Sequence, residues 1–320
     1  MNPSNPKIKL AITGAGGFLG SAAVDFFSQL PEISEVRALY SSPPQRVLPE
    51  KVKPSVGDLK NPLICDTLST EVDCIIHLAH RGFPSDREKS ARKTISDNVA
   101  ATSELLQSMQ RNQVKRLIYA SSGGAVYLGD EKKKPFKENA STVFRTPYAA
   151  SKLINEYVIR EFAQSYPLEA TVFRISNPYG IGQLNRTQQG IVGVLLGKIL
   201  RKERLTLWSS PQIVKDFIYI DDVLSAFHRV VGSSRPLTGL FNIGSSQGLS
   251  LSELFKVIEK VTGQPAPIDF NPNPVPECSW TVLDCSKFFQ ATGWKCQTQM
   301  EHGVRILWNA LNQTDQKQAA

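Results

Sequence analysis

The chain has 320 residues, 41% of them hydrophobic, and carries 37 Lys and Arg against 29 Asp and Glu, a formal net charge of +8. That length holds two domains or one large α/β domain, and the composition excludes a disordered or fibrous chain. The longest basic run, "EKKKPFK" with Lys132, Lys133 and Lys134 together, reads as a solvated loop, so no nucleic-acid partner is expected.

The positive balance also suits an anionic substrate. Five cysteines, Cys65, Cys74, Cys278, Cys285 and Cys296, are an odd count without metal-ligand spacing, which argues against a disulfide framework and against a metal site. The start "MNPSNPKIKLAITGAG" lacks the apolar core of a cleavable signal, and no apolar stretch reaches membrane-spanning length. A soluble cytoplasmic protein without a membrane partner is expected.

In chain order, the first half alternates strand-like and helix-like runs: "KIKLAIT", "AAVDFFSQL", "EVRALY", "VKPSVGD", "VDCIIHLA", a long helix near 92 to 111, "VKRLIYAS", a helix from Tyr148, and "EATVFRI". Such alternation predicts parallel strands joined by crossover helices, an α/β doubly wound sheet. After Asn177 the pattern loosens into a helix in "GIVGVLLGKILRKE", a strand in "VKDFIYI" and a helix "LSELFKVIEKVTG" ending at Gly263. The proline-rich "QPAPIDFNPNPVPE" reads as a loop or edge strand of a smaller second lobe, and the tail "NQTDQKQAA" as disordered. The expected division is a dinucleotide-binding domain over 1–176, receiving 217–246 as well, and a substrate-binding domain over 177–320.

Three motifs carry chemistry. In "AITGAGGFLGSAAV", Gly14, Gly17 and Gly20 follow the first strand and open a helix. That context lets backbone approach a pyrophosphate held on helix N–H groups, and predicts a dinucleotide. The second strand ends in Tyr40, where an acid would bind the adenosine ribose; Ser41, Ser42 and Arg46 beyond it could accept a 2′-phosphate, so NAD and NADP both fit. Asp58 in "VGDL" could receive the adenine amino group or cap a helix.

The second motif is "YAASK", with Tyr148 and Lys152 at i and i+4 on one helix face. An ammonium beside a phenol favours the phenolate, and a depression of roughly three pKa units would be worth about 4 kcal/mol. The pair is therefore expected to do general acid–base chemistry. The third is the strand end "YASSGGA", whose Ser122, with Ser121 behind it, could hydrogen-bond a reacting oxygen or simply cap the strand. His77 and His80 flank the end of a buried strand and read as core or loop residues.

Together "TGAGGFLG", "GDL", "HLAH", "SSGGAVY", "YAASK", "RISNPYG" and "KDFIYIDDV" resemble the extended short-chain dehydrogenase/reductases, in the nucleotide-sugar epimerase/dehydratase branch that includes UDP-glucose 4-epimerase-like proteins. The resemblance runs from about residue 7 to 311. It implies a Rossmann domain holding NAD or NADP tightly, with Phe18, Leu19, Leu59, Ala79, Asn98 and Ser121 added to the cofactor residues named above, and Tyr148 and Lys152 on the nicotinamide ribose. It also implies a smaller C-terminal domain for a nucleoside-diphosphate sugar, with Ser122 on the sugar oxygen, and a homodimer packed through helices that include that of Tyr148.

By the same resemblance Asn177 and Lys215 meet the diphosphate region. Asn177 could equally be a turn former before Pro178. Lys215 stands where the family usually has Arg, and a second family Arg is missing from "NPVPECSWTVLD". Look-alike dehydratases carry an Asp-Glu pair after the catalytic hydroxyl, and here the residues are Gly123, Gly124 and Ala125. The expected activity is a nucleotide-sugar 4-epimerase using a transient 4-keto intermediate. The alternatives are an NADP-dependent reductase of a keto nucleotide sugar or other carbonyl compound, and a non-catalytic dinucleotide sensor, which would not need both Tyr148 and Lys152. Asp216, Asp221 and Asp222 read as structural residues capping a helix near Val223.

Overall fold

The computed structural model describes residues 7–82, 91–129, 133–183, 190–271 and 278–319. Lys132 and most of the proline-rich "NPNPVP" stretch lie outside the described residues. The chain divides into two compact units: 1–126 with 142–174 and 226–241, and 127–141 with 175–225 and 242–320. The returning segment of the first unit is thus 226–241 where 217–246 was expected, and 127–141 groups with the second.

The first unit opens with β1 (Ile8–Thr13), α1 (Phe18–Gln29), β2 (Ile33–Tyr40), β3 (Val52–Val56), α2 (Pro62–Ser69) and β4 (Cys74–His77). It continues through α3 (Ala91–Arg111), β5 (Arg116–Ser122), α4 (Gly123–Val126), α5 (Pro147–Ser165) and β6 (Glu169–Ile175). Next in the chain come β7 (Asn177–Tyr179), α6 (Ile191–Leu200), β8 (Leu205–Leu207) and β9 (Val214–Tyr219). After α7 (Ile220–Val231) and β10 (Gly239–Ile243) follow β11 (Gly248–Ser250), α8 (Leu251–Thr262), β12 (Ile268–Phe270), β13 (Trp280–Thr281), α9 (Ser286–Thr292) and α10 (Met300–Ala319).

Seven strands form one sheet in the order β10-β6-β5-β4-β1-β2-β3. β1 pairs in parallel with β2 on one side and β4 on the other, and β2–β3 and β4–β5 are parallel too. β4 is buried along its whole length and β1 over its last four residues, as a sheet covered on both faces requires, whereas Pro54 sits in edge strand β3, where its missing N–H costs little. α3 and α5 cover one face through Leu105, Leu106, Met109 and Ile159, packed on Leu117, Tyr119 and Val172. Each such buried side chain contributes about 1.5–3 kcal/mol of transfer free energy. Strand order reverses between β4 and β1, and in a doubly wound sheet the crevice at that reversal, at the carboxyl ends of the strands, is where a ligand sits.

In the second unit β9 pairs with β11, β13 and β7, and β8 pairs with β12. α8 is bounded as its sequence dictates: Ser250 and Glu253 form a capping box, and Gly263 ends the helix in the left-handed region at φ 70°. The expected disordered tail is instead the continuation of α10 to Ala319, whose residues are all compatible with a helix. Among the described residues no helix is long and apolar enough to cross a membrane.

Candidate functional site

The glycine loop is shaped by contact with the strand beside it. Gly14 has φ +67°, and a Cβ there would lie 2.7 Å from the Ala79 nitrogen. A Cβ on Gly20 would meet the Gly14 carbonyl at 2.0 Å, so α1 approaches its own loop as only glycine permits. Gly17 caps α1 without a side-chain bond, and no acidic residue occupies the first turn, which Phe18 and Leu19 open. The positive end of the helix is therefore left for an outside anion, and this cradle fits the pyrophosphate of a dinucleotide.

The floor under that cradle is a chain of hydrogen bonds. Thr13 Oγ1 accepts from the N–H groups of Leu78 (3.1 Å) and Ala79 (3.0 Å), so its own proton goes to His77 Nδ1 at 2.8 Å. His77 Nε2–H then donates to Thr102 Oγ1 (3.1 Å), which donates to the Asn98 carbonyl (3.0 Å). Burial holds the His77 imidazole at a pKa of about 3, with Lys152 adding to the effect, so it is a neutral bridge. The Asn98 side chain brackets Arg81, accepting from its N–H at 2.8 Å and donating to its carbonyl at 2.9 Å. Asn98 thus fixes the backbone after β4, and Ala79 is held in place by Thr13.

The adenosine end is arranged less simply. Tyr40 ends β2 buried, with its ring 3.5 Å from where a Cβ on Gly16 would stand, and Ser41 is exposed. Arg46 is ion-paired with Asp25 of α1 at 2.7 Å, so a 2′-phosphate would have to compete for it. Asp58 does not cap α2: Asn61 does, accepting from Leu63 N at 3.0 Å, while Asp58 accepts from Lys60 N and pairs with Arg81 at 2.9 Å. The capping alternative for Asp58 is corrected accordingly. Leu59 is buried in the core cluster of the first unit.

Thr146 caps α5 by accepting from Ala149 N at 3.1 Å, and Pro147 occupies the first turn, so Tyr148 emerges at the helix start. The Ser122 hydroxyl at the end of β5 acts on its phenol, drawing its pKa down, which joins two of the residues expected to act together. Lys152, 4% exposed, donates to the Ala120 carbonyl at 2.7 Å, with Nζ 5.0 Å from the Tyr119 ring centre and 5.7 Å from that of Tyr148. That carbonyl is its one hydrogen-bond acceptor among the described residues, leaving two N–H groups for a ligand.

The electrostatics differ from the expected phenolate. Burial pushes the Tyr148 phenol above its ordinary pKa, and the Ser122 hydroxyl lowers it only in part. Burial likewise brings Lys152 down to about 7, against the pull of Glu156. The free protein therefore holds Tyr148 protonated, because the low-dielectric site opposes charge on either partner.

Sequence reasoning placed His80 in a core or loop role, yet its ring meets the Tyr148 ring edge-on at 4.7 Å. Ser151 gives its proton to the Tyr148 carbonyl (2.9 Å) and so accepts from His80 Nε2–H at 2.8 Å. Burial, then Lys152, holds His80 at about 2 against a small opposing pull from the Gly82 backbone, so it braces the first turn of α5 uncharged. Glu156 and Arg174 also went unread; Glu156 continues the i, i+4 spacing from Tyr148, and Arg174 interrupts an apolar strand. The Ser121 hydroxyl donates to Glu156 Oε1, so its bond is made inside the protein.

Within the second unit, Asn177 Nδ2 donates to the Asp216 carbonyl at 2.8 Å. Lys215 is a half-buried residue of β9, opposite Leu249 of β11 and Thr281 of β13. Asp216 is fully buried and accepts from Ser245 N (2.8 Å), Ser245 Oγ (2.7 Å), Ser246 N (3.2 Å) and Leu283 N (3.2 Å). It is a knot between segments, in keeping with its structural reading. Asp222 is structural too, but it accepts from the Gln297 and Thr298 amides at 2.9 and 3.0 Å and so caps no helix start of its own.

A model of the NAD dependent epimerase/dehydratase family matches residues 10–244. This chain belongs to that family. Its members are enzymes. Among curated relatives, an Escherichia coli dTDP-4-dehydro-6-deoxyglucose reductase is 28% identical, over 94% of this chain and 96% of its own length. A Mycolicibacterium smegmatis UDP-glucose 4-epimerase is 26% identical, over 93% of this chain and 96% of its own. The solved UDP-glucose 4-epimerase of Stenotrophomonas maltophila, with bound NAD and a formylated UDP-arabinopyranose, shares the fold at a TM-score of 0.86 and 22% identity, covering 98% of this chain and all of that one. For this epimerase/dehydratase the glycine cradle, Lys152 and Tyr148 are the groups that could hold a dinucleotide, and no carboxylate follows Ser122 along α4.

Proposed function

We propose that this chain is a nucleotide-sugar 4-epimerase that retains NAD. The observation that carries the reading is the Tyr148 phenol under the influence of the Ser122 hydroxyl, with Lys152 buried one helical turn behind it. Ser122 orients the sugar 4-hydroxyl; Tyr148 first releases its own proton to solvent, and the phenolate then takes the hydroxyl proton as C4 becomes a ketone. The same phenol returns the proton once the sugar has presented its other face. When bound, the dinucleotide supplies the hydride acceptor and then the donor. Lys152 offers its remaining N–H groups to the nicotinamide ribose, and its charge supports transient negative charge on Tyr148. The residues after Ser122, Gly123, Gly124 and Ala125, supply neither an acid nor a base for expelling water, which disfavours dehydration.

The substrate is a nucleoside-diphosphate hexose, with Asn177 and Lys215 toward the diphosphate; similarity to UDP-sugar epimerases favours UDP. Tyr40 supplies no carboxylate for a ribose 2′-hydroxyl, but with Arg46 engaged by Asp25 the adenosine end is not built for a 2′-phosphate, which favours NAD over NADP. A homodimer belongs to the same reading: α3 and α5 leave a surface groove of ≈ 890 Å³ lined by Leu106, Ile154, half-exposed Tyr157 and Phe162, which a second copy can cover, and a monomer in sedimentation would remove it. Denaturing the purified protein and identifying the released nucleotide by mass spectrometry tests the cofactor. Stoichiometric NAD is expected; NADP, or an empty protein that consumes NADPH, would favour the reductase.

A further inference from the structure

The helical spacing that puts Lys152 behind Tyr148 repeats once more and reaches Glu156. Its side chain is 9% exposed and that of its partner, Arg174 of β6, 6%. Arg174 Nε lies 3.0 and 3.2 Å from the two carboxylate oxygens and its terminal nitrogen 2.7 Å from one of them, while Ser121 donates to the other. Burying such a pair costs several kcal/mol per ion, and an apolar pair of similar volume is often as stable, so folding alone does not call for it.

Lys152 is a second cation buried nearby, and its surroundings show what the carboxylate does. Facing it are Tyr148 and Glu156 on α5, Tyr119 on β5, and His77 and His80 at the end of β4. Both phenols are held protonated and both imidazoles neutral by burial, so among these groups only Glu156 carries a charge, moderated by Arg174.

We propose that the Ser121–Glu156–Arg174 network is a positioning device for Lys152: a carboxylate fixed one helical turn behind the ammonium keeps it charged and pointed toward Tyr148 and the ribose. Arg174 and Ser121 hold the carboxylate still, and the guanidinium tempers its field so that Lys152 is not locked into an ion pair. The network rests on Tyr148 and Lys152 being the chemical pair and serves whichever hydroxyl they act on.

The test is the titration of Lys152 itself. In protein labelled with ¹³C-lysine, the Cε resonance of Lys152, assigned by its loss in Lys152→Arg, is followed against pH by NMR. Glu156→Gln should lower the midpoint by about one unit, a tenfold loss of proton affinity. Arg174→Met, which frees the carboxylate, should raise it. Opposite shifts are not expected of a network that only stabilises the fold. Glu156→Asp keeps the charge but withdraws it by one methylene, so it serves where Glu156→Gln does not fold, and should lower the midpoint less. A midpoint unmoved in the folded variants overturns the proposal. No substrate enters the measurement, so a protein lacking epimerase activity leaves this result readable.

Discussion

Lys152 in the first unit and Asp216 in the second are both ionisable side chains taken out of water, and their surroundings are opposite. Asp216 meets four donors, three of them backbone N–H groups, from two other segments of the chain. Lys152 meets a single carbonyl. In both, burial outweighs the partners, raising Asp216 to about 6 and lowering Lys152 to about 7. A buried charge whose bonds are all made within the protein is architecture; one left with unmet donors beside a phenol and a dinucleotide cradle is kept for a ligand.

The largest effect that would sharpen this contrast is at Tyr148. Tyr148→Phe should lower kcat by at least about 1,000-fold, since it removes the proposed proton carrier, while NAD affinity measured by calorimetry stays nearly unchanged. Residual turnover near that of the unaltered enzyme would place the general base elsewhere. Asp216→Asn should act on the fold instead, with about 2–4 kcal/mol lost in denaturant unfolding and kcat per folded molecule preserved. An activity loss without a stability loss would break the comparison.

The two groups also give opposite pH signatures. Folded Asp216 binds more protons than its unfolded form between about 3.8 and about 6, so its contribution is full below that window and is lost as pH rises through it. Folded Lys152 binds fewer protons than its unfolded form between about 7 and about 10.5, so its contribution grows as pH rises across that range. Unfolding free energies of the parent and Lys152→Met should converge toward pH 10 and separate toward pH 7, with the parent the less stable; a constant difference would contradict the buried ammonium.

Much of this was legible in the chain. Glycine spacing after an apolar strand forces the cradle, and the i, i+4 offset forces Tyr148 and Lys152 onto one face. Ser122 could be preferred over Ser121 only in part, because which of two adjacent strand residues faces the helix depends on register; in the structure Ser121 turns to Glu156. Of the two roles open to Asp58, the helix cap falls to Asn61, three residues on, which has the better offset. The raised phenol was invisible, since sequence spacing reports proximity and not the desolvation that opposes charge. The helical tail was missed because its polar residues carry no apolar period, although none of them breaks a helix.

A smaller effect separates the two serines. Ser122→Ala should reduce kcat by a factor on the order of 10 to 1,000, as for one hydrogen bond that strengthens in the transition state, and Ser121→Ala by less. The reverse order would shift the sugar contact to Ser121.

The most direct test of the account is isotopic. UDP-glucose, UDP-galactose and their N-acetyl forms, each deuterated at C4, are incubated with the enzyme without added cofactor and followed by NMR. Interconversion of a C4 pair with deuterium retained at C4 is the result expected when hydride leaves and returns within one binding event and Tyr148 moves only the hydroxyl proton. Turnover that needs stoichiometric NADPH and delivers a reduced sugar, or loss of water to a 4-keto-6-deoxy product, would contradict it.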